Sequence, residues 1–296
     1  MADHPPIEAY DEIDSTNAEA RRRAEAGESG PVWITARRQT AGRGRRGRAW
    51  STETGNLAAT LLTTTDAPAA EAAQLSFVAA LAACDLADTC LGAGAARLKW
   101  PNDVLVFGRK AVGILVESGA RPDGRLWLAV GIGINLAHAP TDIERPATSF
   151  AEHMAGPPPK PSDAVEILAG RFESWRQLWA TQGFAPIADG WTARAYGLGE
   201  RCEARLPNRT LAGVAEGMDP DGALRLRRDD GAEGPHRCGR ERCRAGALGE
   251  PDERHRPERR RAGAVQRCER AGGQRPHGGG RDHHELAVVP VGGEAG

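Results

Sequence analysis

Residues 14–30 read DSTNAEARRRAEAGESG, a cluster of small polar residues followed by an alanine-rich run and then glycines. That pattern predicts a helix capped by Asp14 or Ser15 and ended by Gly27 and Gly30, because a short side-chain oxygen satisfies the free N–H groups of a first turn. VWITARR, from residue 32, is β-branched and aromatic and reads as a strand. NLAATLLTT, from residue 56, reads as a second strand. Between residues 69 and 92, AAEAAQLSFVAALAACDLADTCLG keeps apolar residues on a wide face at helical spacing, which predicts a long helix.

The stretch ARLKWPNDVLVFGRKAVGILVESGA, followed by RLWLAVGIGINLA, breaks into three short apolar runs at Pro-Asn-Asp and Gly-Arg-Lys turns. These are expected to be buried strands. GPPPKPS at 156–162 is a stiff connector, and SDAVEILAGRFESWRQLWATQGF after it is an amphipathic helix starting at a Ser or Asp cap. Helices and strands interleave without strict βαβ alternation, so the fold class is α+β, a mixed β-sheet flanked by helices. From about 194, short strands alternate with Pro-Asn and Asp-Pro-Asp-Gly turns, the texture of a small β-barrel. Between Gly231 and Glu285 the large apolar residues are Leu248 and Val265 alone, and such a segment buries too little surface to offset its ordering entropy. The expected units are therefore 7–192, 193–232 and a disordered tail, 233–296.

Composition narrows the function. The 296 residues carry 40 acidic and 39 basic side chains, so no overall field draws the protein to DNA or an anionic membrane, and anion binding has to be local. The N-terminus has no signal-like region, and LAVGIGINLA is about half the length of a membrane span, which predicts a cytoplasmic protein. Cys84, Cys90 and Cys202 read as small buried hydrophobes. The basic residues include three lysines, Lys99, Lys110 and Lys160, so arginine is the default surface cation and each lysine invites a question.

TAGRGRRGRAW, residues 40–50, places four arginines and three glycines between two predicted strands and closes on Trp50. Glycines let backbone N–H groups approach an anion, and arginines add charge-assisted contacts. An Arg-Gly nucleic-acid segment is the competing reading, but such segments are long, aromatic-poor and unflanked by strands. KWPNDV at 99–104 turns at Pro101 and Asn102 to bring Lys99 and Asp103 to one mouth, with Lys110 opening the next strand. GIGIN at 131–135 alternates glycines along a strand, with Gly113 similarly placed in the strand before. Close approach of a ligand and tight sheet packing both explain them, and packing is the stronger explanation alone. Asn135 ends the strand as a candidate partner for phosphate or ribose.

DSTN, Q-x-AGRGRRGR-x-W, KWPNDV, GRK-x-x-GILVE, GIGIN and RPATS, in this order and spacing over residues 10 to about 232, resemble the biotin protein ligases. The resemblance implies a class II synthetase-like catalytic domain followed by an SH3-like barrel, here incomplete. It implies a biotin–[biotin carboxyl-carrier protein] ligase reaction: biotin and Mg2+-ATP form biotinyl-5′-AMP, and a carrier lysine then takes the biotinyl group. By the same resemblance Ser15, Thr16, Asn17, Gln39, Arg43, Gly44, Arg45, Lys110 and Gly113 contact biotin. Trp50, Lys99, Asn102 and Asn135 lie toward ATP. Arg45, Lys110 and Asp103 act in the chemistry, Asp103 also being a candidate Mg2+ contact. The implied partners are the biotin carboxyl carrier domain of acetyl-CoA carboxylase, biotin and ATP, with a homodimer compatible and neither DNA nor membrane expected, since DSTN starts too early for an N-terminal DNA-binding domain.

The sequence departs from this family after residue 228, where arginine, glycine and proline replace an expected closing strand. A frameshift near 228–234 explains such text in a GC-rich gene. Cys238, Cys243 and Cys268 with His283 and His284 match no zinc spacing and are read as chance. The rivals are a lipoate–protein ligase, a module that binds biotin without catalysis, and an RNA-binding protein, which would show steep salt dependence.

Overall fold

The computed structural model describes residues 4–141, 146–205, 210–228, 240–243 and 288–290. Seven strands make its main sheet: β1 (Ile7–Ile13), β2 (Val32–Gln39), β3 (Leu57–Thr65), β4 (Ala96–Lys99), β5 (Asp103–Val106), β6 (Arg109–Ala120) and β7 (Leu126–Ile134). Their order is β1-β2-β3-β7-β6-β5-β4. β1 and β2 are parallel and every other pair is antiparallel, which makes the sheet mixed, as expected.

The parallel pair requires a crossover, and α1 (Thr16–Glu25) supplies it. Ser15 is the N-cap, accepting from the Ala18 amide at 3.4 Å. Asp14 stands one residue earlier, accepts from the Ser15 amide at 2.7 Å and pairs with Arg22. That Arg22 contact holds the Asp14 carboxyl below the usual aspartate range. Ala20 and Ala24 pack α1 onto one face of the sheet with Val32, Ile34, Leu62, Trp127 and Ala129. Trp33, between Val32 and Ile34, points to the other face and meets Phe172 edge-on. Strand alternation thus divides β2 between two cores.

The second face is covered by α2 (Ala69–Ala72), α3 (Leu75–Leu91) and α4 (Pro161–Gln182), with α5 (Ala185–Ala193) beside them. Ala69–Leu91 is long and apolar enough to cross a membrane, beyond the ten-residue run singled out from sequence. Most of α3, from Leu75 to Ala87, is nevertheless buried against protein, the burial a core helix shows. Cys84 lies there, and burial pushes its thiol up to about 12. Cys202 is also buried, whereas Cys90 is half-buried at the core margin.

Four strands, not three, come from the 96–137 region, because the Phe107–Gly108 turn separates β5 from β6 after the Pro-Asn turn has already separated β4 from β5. α4 begins at Pro161 with Lys160 in the cap position, so Ser162 and Asp163 fall inside its first turn instead of capping it. Proline at the first helical position costs no hydrogen bond and sets the start.

The smaller sheet contains β8 (Arg201–Arg205), β9 (Thr210–Met218), β10 (Leu224–Arg228), β11 (Arg240–Cys243) and β12 (Val288–Pro290), in the order β11-β10-β9-β8-β12. No pairing joins its two outer strands, so among the described residues the barrel is not closed. Both outer strands come from residues beyond 232, the segment expected from its composition to be disordered. The rest of the tail, the 229–239 segment around the suspected frameshift, and the cysteine and histidine side chains named above lie outside the described residues. Cys202, Ala204, Leu211, Ala215, Met218, Leu224 and Leu226 join the main core. The expected 192/193 boundary falls at the end of α5, before the smaller sheet begins, and the packed core includes residues on both sides of it.

Candidate active site

The N-terminus of α1, the end of β2, the loop after it and the middle of β6 and β7 surround a cavity of about 480 Å³. It is open on one side and floored by Ala58, Ala59, Ile114, Leu115, Gly131, Ile132 and Gly133 of the central strands. All the candidate residues named from sequence, Ser15, Thr16, Asn17, Gln39, Arg43, Gly44, Arg45, Trp50, Lys99, Asn102, Asp103, Lys110, Gly113 and Asn135, line this one space. Sequence reasoning missed Arg48, Ser51 and Trp100 of the wall.

The glycine-arginine segment is a small hairpin. Gly44 N–H donates to Arg48 O at 2.7 Å, Trp50 N–H to Gly42 O at 2.9 Å, and a bridge joins Arg43 to Ala49 around a 3-10 turn at Arg45–Gly47. Gly47 has φ 72°, which favours glycine at the turn's end. Arg45 reaches across the cavity, donating from Nη1 to Asn102 Oδ1 at 3.1 Å. Asn102 in turn donates from Nδ2 to Ile114 O at 2.8 Å, which fixes its amide orientation.

Asp103 and Lys110 face each other across the β5–β6 pair, with Nζ 2.6 Å from Oδ1. Lys110 also lies 5.6 Å from the Trp50 ring centroid, a cation-π distance. Among the described residues the wall carries Arg43, Arg45, Arg48, Lys99 and Lys110 together with the carboxylate of Asp103. A protein of net charge −1 thus concentrates positive charge in one pocket. That favours a small, multiply charged anion there.

The alternating glycines have a specific cause. A Cβ on Gly133 would collide with the indole of Trp50, and one on Gly113 would lie 2.8 Å from the same ring. A Cβ on Gly131 would collide with Oδ1 of Asn17. Close packing is thus the cause, but of pocket side chains and not of neighbouring backbone: the glycines make room for Asn17 and for the indole of Trp50 against β6 and β7. Asn135 is 2 % exposed and donates from Nδ2 to Thr148 O at 3.1 Å. Half of its amide is committed to holding residues 146–149 beside β6.

At the other end, a polar group sits under the N-terminus of α1. Gln39 Oε1 accepts from the Thr16 amide at 2.8 Å, and Gln39 Nε2 donates to Thr52 Oγ1 at 2.9 Å. Thr60, unremarked in the sequence because it looks like an ordinary strand residue, is fully buried between Thr16 and Asn17. One end of the cavity is thus neutral and hydrogen-bonding, and the other cationic. Among the described residues no group of three or more histidine, cysteine or acidic side chains is placed to hold a metal ion.

Residues 11–135 match the biotin/lipoate A/B protein ligase family, and residues 197–237 match the biotin protein ligase C-terminal domain. A biotin–[acetyl-CoA-carboxylase] ligase of Paracoccus denitrificans is 47% identical over 219 residues, which span 72% of this chain and 91% of that protein. The chain belongs to the biotin protein ligase family. The bifunctional ligase/repressor BirA of Bacillus subtilis is 34% identical over 227 residues, spanning 75% of this chain and 69% of that protein. The biotin protein ligase of Aquifex aeolicus, solved with biotin and ATP, superposes with a TM-score of 0.68 over 82% of this chain and 97% of that chain, at 24% identity. At that identity the likeness is one of fold.

Proposed function

We infer that this protein activates biotin with ATP to biotinyl-5′-AMP and transfers the biotinyl group to a lysine of the biotin carboxyl carrier protein of acetyl-CoA carboxylase. The observation that carries this reading is the two-ended cavity: a neutral hydrogen-bonding end at Thr16 and Gln39, and a cationic end where Arg45 and Lys110 converge on the Asp103 side. A neutral ring fits the first end, and a carboxylate meeting a phosphate fits the second.

In the first step a biotin carboxylate oxygen attacks the α-phosphorus and pyrophosphate leaves. Both reactants are anions, so the barrier is dominated by bringing negative charges together. Lys110 bridges the carboxylate and the α-phosphate, and Arg45, held by Asn102, closes over the product. Ser15, Asn17, Arg43, Gly44 and Gly113 complete the biotin side. Trp50, Lys99, Asn102 and Asn135 complete the nucleotide side. In the second step the carrier lysine attacks the acyl carbon, AMP leaves, and Asp103 is positioned to take the amine's proton. The hairpin over the mixed anhydride keeps water from hydrolysing it.

Mg2+ would enter with the ATP phosphates, and among the described residues Asp103 is the wall carboxylate that would touch it. Its chemistry there is to offset phosphate charge. The reading fits a cytoplasmic protein and assigns no step to DNA. A homodimer is compatible with it.

Pyrophosphate release tests the assignment. Biotin with ATP is expected to drive release, and lipoate is not. Release with lipoate but not biotin would favour the lipoate ligase of the same fold, and release with neither would leave a binding protein.

A further inference from the structure

We propose that Thr60 and Glu117, neither of which lines the cavity, are positioning residues that make the hydroxyl of Thr16 an acceptor for a ligand N–H. The proposal deepens the biotin reading above and rests on it.

Hydrogen-bond direction along one buried chain carries the argument. Asn17 Nδ2 lies 2.7 Å from Glu117 Oε2 and 3.3 Å from Leu115 O. Both neighbours are pure acceptors, so that end of the amide has to be the NH2 group, and Oδ1 has to face Thr60. Thr60 Oγ1 is 2.7 Å from Asn17 Oδ1 and 2.8 Å from Thr16 Oγ1.

A hydroxyl has one proton. An amide oxygen cannot donate, so Thr60 gives its proton to Asn17 and its own lone pairs receive the proton of Thr16. The other acceptor open to Thr16, Gln39 Oε1, is farther at 3.2 Å and already receives the Thr16 backbone N–H at 2.8 Å.

The chain therefore runs Thr16 to Thr60 to Asn17 to Glu117, each group donating to the next. Its open end is a lone pair on Thr16 Oγ1, at the neutral end of the cavity. A ureido ring offers N–H groups there, whereas a dithiolane offers none, so the carboxylate at one end of the chain sets ligand choice at the other. The space for this arrangement depends on Gly131, where a Cβ would strike Asn17.

The test is calorimetric titration of wild type, Thr60→Val and Thr60→Ser with biotin and with the two mono-N-methyl ureido biotins, alongside pyrophosphate release. Thr60→Val is expected to weaken biotin binding about tenfold, the value of one hydrogen bond, with KM for ATP within about twofold. Thr60→Ser restores binding. Against one N-methyl biotin, which lacks the N–H in question, wild type and Thr60→Val bind alike. Glu117→Ala, which frees the Asn17 amide to turn over, weakens biotin binding in the same direction.

Unchanged biotin affinity in Thr60→Val would overturn the proposal. So would an equal loss against both methylated biotins, or no rescue by serine. A wild-type protein that binds biotin yet releases no pyrophosphate would refute the ligase reading and leave the Thr16 comparison intact. One that binds no biotin would overturn both.

Discussion

Residue chemistry in this protein follows from a few committed side chains. Arg45 is held by Asn102, Lys110 by Asp103, and Trp50 by the absence of side chains at Gly113 and Gly133. Gly133→Ala is expected to lift Trp50 off the sheet. Overpacking of this kind costs about 1–3 kcal/mol, so adenylation should fall about tenfold or more, read as pyrophosphate release at saturating biotin, with an unchanged rate counting against the fitted indole. The contiguous motifs were legible at this scale, since TAGRGRRGRAW and KWPNDV carry their chemistry in residue type and spacing. Thr60 and Glu117 were not. A threonine and a glutamate within strand patterns acquire their roles only when β3 and β6 are brought beneath α1.

Among the elements, α1 joins stability to the site, because its N-cap, Ser15, and first residues, Thr16 and Asn17, line the cavity. The cap was legible because Ser15 stands before an alanine-rich run. β1 was not, since its residues are largely solvated and follow neither strand nor helix alternation, and parallel pairing with β2 is what makes it a strand. Asp14 gives this element a pH dependence. Its carboxyl is held low in the folded state by Arg22, so the stabilisation is present above the ordinary aspartate range and is lost as pH falls through the folded value. Below about pH 4 the melting temperature of wild type should fall more steeply than that of Asp14→Asn, as followed by circular dichroism. Parallel curves would remove Asp14 as a contributor.

For the molecule as a whole, the smaller sheet is part of the same packed body as the cavity. Trp100 Nε1 donates to Gly222 O at 3.1 Å, tying the turn that carries Lys99, Asn102 and Asp103 to the β9–β10 turn. Trp100→Phe keeps the ring but leaves a buried carbonyl unpaired, at a cost of about 1–3 kcal/mol, and a melting temperature lowered by several degrees is expected; no shift would mean the two sheets are held by apolar packing alone. The mixed sheet was foreseeable from alternation and turn residues. The unclosed small barrel was foreseeable too, because after residue 228 arginine, glycine and proline stand where a closing apolar strand is expected. The central claim is that a protein with almost no net charge assembles a local cationic pocket to join two anions. Single-turnover formation of biotinyl-5′-AMP by Lys110→Ala, at saturating biotin and ATP, tests it most directly. A rate at least about a hundredfold below wild type is expected, with the fold retained by circular dichroism, and a wild-type rate from that variant would mean that the pocket's positive charge does not drive the joining of the two anions.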